Sequence, residues 1–197
     1  MTNLLAFDEQ LFHWINSDWQ NAFLDAVMPW WRDKKTWIPL YIALAGFMWY
    51  RFRVRGVYLL LALALTVGVA DGVSSHLIKK TVKRIRPCND ATLQQPARIV
   101  ASCGGGYSFT SSHATNHFAI ATFLSLTLGL FYRKIRLLFY LWAASIAIGQ
   151  VYIGVHYPLD IMGGALLGTL IALAMARWYW RLPSIRIERP GVETVRA

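Results

Sequence analysis

Three short stretches of this chain carry residue types that together could handle a phosphoryl group. The first, KKTVKRIRP, sets Lys79 ahead of Arg86 and closes on Pro87. The second, YSFTSSHATNHFA, places Ser111 and Ser112 directly before His113 and an apolar run. The third, GQVYIGVHYPLDIMGG, puts His156, Pro158 and Asp160 between two greasy segments. Cations neutralise the non-bridging oxygens of a phosphate, and an arginine can bind two of them at once. Small hydroxyl residues ahead of a helix mark its start, where unpaired N–H groups make an anion cradle. Two histidines can divide attack from protonation. His156 and Asp160 are four apart, so a helical turn would set them on one face, and Pro158 suits the first turn of a helix. A carboxylate on one ring nitrogen fixes the tautomer and leaves the other nitrogen free to attack.

The elements that must position these residues are membrane helices. Of 197 residues, 56% are hydrophobic and only 15% charged, with nine Trp and nine Tyr. That balance is far from a soluble domain and fits aromatic belts at two interfaces. The net charge of +10 raises nucleic acid as a partner, but the basic residues lie in short connectors between apolar runs, so none is expected. No cleavable signal is expected at the N-terminus, which carries Asp8, Glu9, His13 and Asp18 instead of a basic start and a greasy run. Five apolar segments, roughly 36–50, 57–78, 116–132, 137–157 and 161–180, approach the ~20 residues that cross a bilayer. The reading is therefore an all-α integral membrane protein, one domain over 1–197: a bundle of five transmembrane helices. Residues 1–35 mix apolar and acidic positions and read as amphipathic interfacial helices packed on the bundle; a sixth, distorted span is the alternative.

Arg51, Arg53 and Arg55, then Arg133, Lys134 and Arg136, then Arg177, Arg181, Arg186 and Arg189 all fall on one side of a five-span chain. That side, with the tail 182–197, is expected to be cytoplasmic. The connector 79–114 and the junction at His156 then face outward. The connector breaks the orientation rule with its own cations, Lys79, Lys80, Lys83, Arg84, Arg86 and Arg98, which suggests that they are kept for a purpose. It also holds Cys88 and Cys103; an oxidising exterior permits a disulfide that would pin the loop, with two free thiols as the alternative. His113 and His117 could in principle share a metal, but no carboxylate lies nearby in sequence, so no metal is expected. Asp71, inside the second span, must face the bundle interior or an aqueous cleft.

Taken together, these residues resemble the membrane-bound phosphatidic acid phosphatase type 2 superfamily of lipid phosphatases, related to vanadium haloperoxidases. Its motifs read Lys-x6-Arg-Pro, Pro-Ser-Gly-His and Ser-Arg-x5-His-x3-Asp. Lys79, Arg86 and Pro87 match the first in full. Ser111 and His113 match the second, with Thr110 for Pro and Ser112 for Gly. His156 and Asp160 match the third, with Gly149 and Gln150 where Ser and Arg are expected. The resemblance implies a metal-free, cofactor-free route in which His156, oriented by Asp160, attacks phosphorus and His113 protonates the leaving oxygen. Lys79, Arg86, Ser111, Ser112 and Gln150 would hold the phosphoryl oxygens. Gln150 brings no charge; Arg84, Arg98 or Lys83 is the expected substitute, with a substrate of different charge or a weakened site as the alternatives. The implied partners are the bilayer and a membrane lipid phosphate: undecaprenyl diphosphate first, then phosphatidylglycerophosphate, phosphatidic acid or the 1-phosphate of lipid A. The implied location is a bacterial inner membrane, multi-pass, with the site facing the periplasm. The rival readings are a lipid phosphotransferase of the same fold and a catalytically weakened lipid-binding or transport-associated protein.

Overall fold

In a computed structural model, which describes residues 2–188, the apolar runs become seven principal helices. These are α1 (Thr2–His13), α2 (Ala22–Trp31), α3 (Ile38–Phe52), α4 (Val54–Val82), α5 (Ser112–Leu126), α6 (Ile135–Tyr152) and α7 (Pro158–Trp180). Among the described residues there is no strand. By length and composition α4, α6 and α7 are able to cross a membrane. α3 and α5 have 15 residues each, or about 22 Å of helix against a hydrocarbon core of about 30 Å. α1 and α2 have 12 and 10 residues, and α1 runs on into a π-helical turn that ends at Asp18. The basic tail expected at 182–197 is described only to Glu188, and Arg189 lies outside the described residues.

α5 is the central post. Its Ala119, Phe123 and Leu124 are buried with Leu59 of α4 and Ala172, Ala176 and Tyr179 of α7. α7 comes closest because it offers glycines. A β-carbon at Gly168 would lie 2.1 Å from the Thr115 carbonyl oxygen, and one at Gly164 2.6 Å from that of Ser111. Small residues spaced by a helical turn let two backbones touch inside a membrane. That contact fixes the helix that carries His113 in its first turn against the helix carrying Asp160.

The N-terminal segment packs on the bundle as expected, but two of its polar residues face inward. Phe12 and Ile15 are buried against Val151, Ile153, Val155 and Tyr157, each such side chain contributing about 1.5–3 kcal/mol by leaving water. Asn16 is fully buried: its Nδ2 donates to the Arg98 and Tyr152 carbonyl oxygens at 2.8 and 2.7 Å, and its Oδ1 accepts from Arg98 N at 2.8 Å. Asp8, the other, is also buried. α1 and the π-helical turn after it therefore clamp the 83–111 connector to the end of α6.

Candidate active site

Local backbone brings the three stretches together. α4 runs on through Lys79 to Val82, so the outer connector starts one turn later than the sequence alone implies. Lys83, at φ 52°, turns the chain out of the helix, and Arg84 to Arg86 continue without helical structure. Alternate residues of an extended segment share a face, which accounts for Arg84 and Arg86 both reaching the same cluster. Ser108 N donates to the Arg84 carbonyl oxygen at 2.7 Å, tying this segment to the stretch before α5. The Cys88–Cys103 disulfide, with Cα atoms 6.0 Å apart, closes the loop between them. Just outside that loop's two ends, Arg86 Nε donates to Gly106 O at 3.2 Å.

His156 does not stand on a helix, contrary to the one-face expectation. Gly154, at φ +88°, ends α6 early, and Val155 N and His156 N both donate to Gln150 O, at 3.1 and 3.3 Å. A β-carbon at Gly154 would lie 2.5 Å from the Arg98 carbonyl oxygen, so only glycine fits that turn. Pro158 then opens α7, and Asp160 in its first turn accepts from Tyr157 N at 2.8 Å. The pair meets across this cap: His156 Nδ1 is 3.4 Å from Asp160 Oδ2 and 3.3 Å from Ser108 Oγ. Ser108 Oγ also donates to Asp160 Oδ2. The opposite ring nitrogen, Nε2, faces Arg86 Nη1 at 3.5 Å. With Nδ1 protonated toward the carboxylate, the Nε2 lone pair points at the cations. Burial pushes the imidazole down to about 4, Asp160 opposing the shift and Arg86 and Lys79 adding to it. Burial thus favours the neutral ring, the form in which an imidazole nitrogen is able to attack.

The other expected residues divide. Lys79 lies within charge–charge range of Arg86 and Asp160, and His113 within that range of His156 and Lys79. Ser111 serves the fold: its N–H donates to Asp160 O at 3.0 Å, and its hydroxyl caps α5 by accepting from Ala114 N at 3.5 Å. Ser112 Oγ meets the hydroxyls of Ser74 and Ser75 at 3.3 and 3.0 Å. Both serine hydroxyls thus have partners within the protein. Gln150 is fully buried, and neither Oε1 nor Nε2 has a partner among the described residues.

Two of the three expected substitutes for its missing charge, Arg84 and Arg98, are already paired with carboxylates. Arg84 is held by two carboxylates, Nη1 by Asp160 Oδ1 at 2.9 Å and Nη2 by Asp8 Oδ2 at 2.5 Å. Arg98 is held by Asp25 at 2.7 Å and by Asn16 O at 2.9 Å. Lys83 is exposed at its turn. Arg32, at the end of α2, lies within charge–charge range of both Arg86 and His113. Its helix leans on the face of α6 that carries Ser145 and Gly149. Trp31 Nε1 donates to Ser145 Oγ at 3.0 Å, and Met28 Sδ lies 3.5 Å from where a Gly149 β-carbon would be.

Asp8 and Ser108 also belong to the cluster, although the sequence does not single them out. Asp8 Oδ1 accepts from Leu159 N at 2.8 Å while Oδ2 holds Arg84. Neither residue stands at a spacing that flags it; only the fold delivers them. Among the described residues no group of three or more His, Cys, Asp or Glu is placed to hold a metal ion.

Comparison with known proteins points the same way. The family model described as the PAP2 superfamily matches residues 55–184. The chain is 34% identical over 175 residues to the lipid A 4′-phosphatase of Bacteroides thetaiotaomicron, covering 85% of this chain and 71% of that protein. It is 28% identical over 190 residues to an undecaprenyl-diphosphatase of Sulfolobus acidocaldarius, covering 95% and 81%. The crystal structure of a transmembrane PAP2-type phosphatidylglycerolphosphate phosphatase from Bacillus subtilis shares the fold, with a TM-score of 0.66 at 21% identity over 94% of this chain and 90% of that one.

Proposed function

The chain belongs to the PAP2 superfamily and is a membrane lipid phosphatase; from that premise we propose that it works through a phosphohistidine on His156, without a metal. The observation that carries this is the polarity of the His156 ring, with Nδ1 turned to Asp160 and Ser108 and Nε2 turned to Arg86. Nε2 attacks phosphorus, the bond from phosphorus to the lipid oxygen breaks, and His113 gives that oxygen its proton. Water then attacks the phosphohistidine, His113 takes the water's proton, the P–N bond breaks and inorganic phosphate leaves. Lys79, Arg86 and the first-turn N–H groups of α5 hold the phosphoryl oxygens while charge builds on them. Arg32 supplies the positive charge that Gln150 lacks. Asp160 keeps the ring in its attacking tautomer and stabilises the cation that forms on it.

The substrate is a lipid phosphate or diphosphate whose head reaches the site at the outer face of a bacterial inner membrane, with five helices spanning it. The relatives' names cover lipid A, undecaprenyl diphosphate and phosphatidylglycerophosphate. The test is phosphate release from a panel of these lipids and phosphatidic acid by the purified chain, set beside His156→Ala. The native chain should release phosphate and, quenched early with a radiolabelled phosphoryl group, carry an acid-labile label that His156→Ala lacks. Full activity in His156→Ala would refute the mechanism. Label passing to a second lipid instead of water would make the protein a phosphotransferase.

A further inference from the structure

α4 carries Lys79 into the catalytic cluster at one end and begins beside an unrelated pocket at the other. From Arg55 to Lys79 the helix runs about 36 Å at about 1.5 Å per residue. The pocket has a volume of about 360 Å³, and Arg51, Arg53 and Arg55 line it together with Phe52, Phe131 and Ile187. All three arginines are exposed. The phosphatase chemistry uses none of them.

One side of the pocket is apolar. The Phe52 and Phe131 rings pack with centroids 5.2 Å apart. Beyond α7 the chain turns back, so that Ile187 is fully buried and its N–H donates to Tyr179 Oη at 2.8 Å. The next residue, Glu188, also lines the pocket and pairs with Arg55. Arg55 is therefore already met by a carboxylate. Arg51 and Arg53 make no ion pair among the described residues. The Arg51 guanidinium lies 5.4 Å from the centroid of the Phe52 ring, a cation–π contact that holds it against the apolar side.

Arg53 is the most telling of the three. It is the single residue between α3 and α4, at φ 52° and ψ −131°, a backbone state that favours glycine. Three positions on, the chain does use glycine where packing demands it: a β-carbon at Gly56 would lie 2.2 Å from the Met48 carbonyl oxygen. Strain of this kind collects at ligand clamps and active sites. The orientation rule asks for cations on one side of the bilayer, but neither at a strained turn nor around a pocket. Arg133, Lys134 and Arg136 serve that rule without lining it.

We infer that this pocket binds the phosphate of an anionic glycerophospholipid from the leaflet opposite the catalytic site. Arg51 and Arg53 share the phosphate oxygens, for which a guanidinium fork is shaped. Phe52, Phe131 and Ile187 cover the glycerol and the first methylenes of the chains. With the catalytic cluster at the outer face, that leaflet is the cytoplasmic one, whose anionic lipids are drawn to basic residues at helix ends. A soluble phosphate offers the same oxygens but leaves the apolar side bare. The site goes beyond the phosphatase reading and does not depend on it.

The test is lipid retention by the purified full chain in neutral detergent, read by native mass spectrometry. The probes are dioleoyl phosphatidylglycerol, dioleoyl phosphatidylcholine and inorganic phosphate. The native chain should hold phosphatidylglycerol in preference to phosphatidylcholine. Arg51→Gln and Arg53→Gln should each weaken that retention about fivefold, and together roughly thirtyfold, with phosphate release unchanged. Arg53→Gly suits the turn, so it should melt no lower than the native chain while losing the same factor of about five; it guards against a variant that fails to fold. Lipid held in the catalytic cluster would be indifferent to all of these substitutions. Equal retention of the two lipids, or phosphatidylglycerol retention that no substitution alters, overturns the inference. Displacement of the lipid by an equal concentration of inorganic phosphate also overturns it and makes the site one for a soluble anion.

Discussion

Replacing Gln150 by methionine is expected to raise stability and lower activity in the same protein. The side chain has no exposure, and both its polar atoms lack partners among the described residues. An unpaired buried polar group costs about 1–3 kcal/mol, and methionine fills the same length of space without one. For a chain of this size each kcal/mol moves the melting temperature by about 2–4 °C, so the ligand-free variant should melt roughly 2–12 °C higher. Activity should move the other way if the amide is kept to donate to a phosphoryl oxygen. A hydrogen bond to a charged group contributes about 1.5–3 kcal/mol, or roughly 10- to 150-fold in kcat/KM. Such a trade of stability for function is what an active site built to receive a ligand predicts. The assays are thermal unfolding in detergent without lipid and phosphate release. An unchanged or lower melting temperature would refute the account of burial, and a more stable variant with full activity would refute the role on phosphate. Gln150→Arg is the companion: it should leave activity similar or raise it, and a large loss would mean that the glutamine has a task of its own.

Three further outcomes are expected. The His156 imidazole is pushed down to about 4 from an ordinary 6.5, so the folded state binds fewer protons than the unfolded one between those values. The stability that the neutral ring retains above 6.5 is lost as pH falls toward 4, and the acid limb of kcat/KM should lie near 4; a limb at 6.5 in a pH profile would contradict the burial argument. Opening the Cys88–Cys103 bridge, by reductant or by Cys88→Ala with Cys103→Ala, should cost about 3 kcal/mol for a 15-residue loop and lower activity through Arg86; calorimetry and phosphate release check both. Arg32→Gln should lower kcat/KM roughly 10²- to 10³-fold, as for a lost transition-state donor, with Arg32→Lys recovering part of it. Its melting temperature should hardly move, since the carboxylate charge acting on Arg32 among the described residues is that of its neighbour Asp33 alone.

What the sequence made legible was whatever leaves a periodic or fixed-spacing trace. The three longest membrane helices follow from apolar runs, and motif spacing singles out Lys79, Arg86, His113, His156 and Asp160, which the fold brings within charge–charge range of one another. Helix ends were less legible. A single glycine at 154 ends α6 at Tyr152, short of the end of the apolar run, and so lifts His156 off the helix on which its spacing with Asp160 would put it. Arg84 was visible as a charge but not as a ligand of Asp160, 76 positions away. Asp8, which binds the backbone of Leu159 across 151 positions, reads as one more acidic residue on an interfacial helix. Nothing local distinguishes a solvated aspartate from one that packing will bury, since its partners exist only once the chain has folded.

Asp8 also decides how the charge beneath His156 is set. A buried carboxylate is costly unless its charge is met, and Asp160 is met by Arg84. Arg84 is shared, however: Asp8 takes its other nitrogen, so two carboxylates and one guanidinium leave one net negative charge under a neutral ring. In the proposed mechanism the ring keeps its Nδ1 proton when Nε2 takes the phosphoryl group and becomes a cation, directly beside that negative charge, which until then faces only the more distant Lys79 and Arg86. An interaction that strengthens toward the transition state raises kcat instead of lowering KM. Asp8→Asn keeps an oxygen for Leu159 N–H but removes the charge, leaving Arg84 to neutralise Asp160 alone. The expected result in steady-state kinetics is a kcat lower by about one to two powers of ten with KM nearly unchanged. A raised KM with kcat intact would instead make Asp8 a residue that only places Arg84 for substrate binding, and unchanged kinetics would remove it from the mechanism.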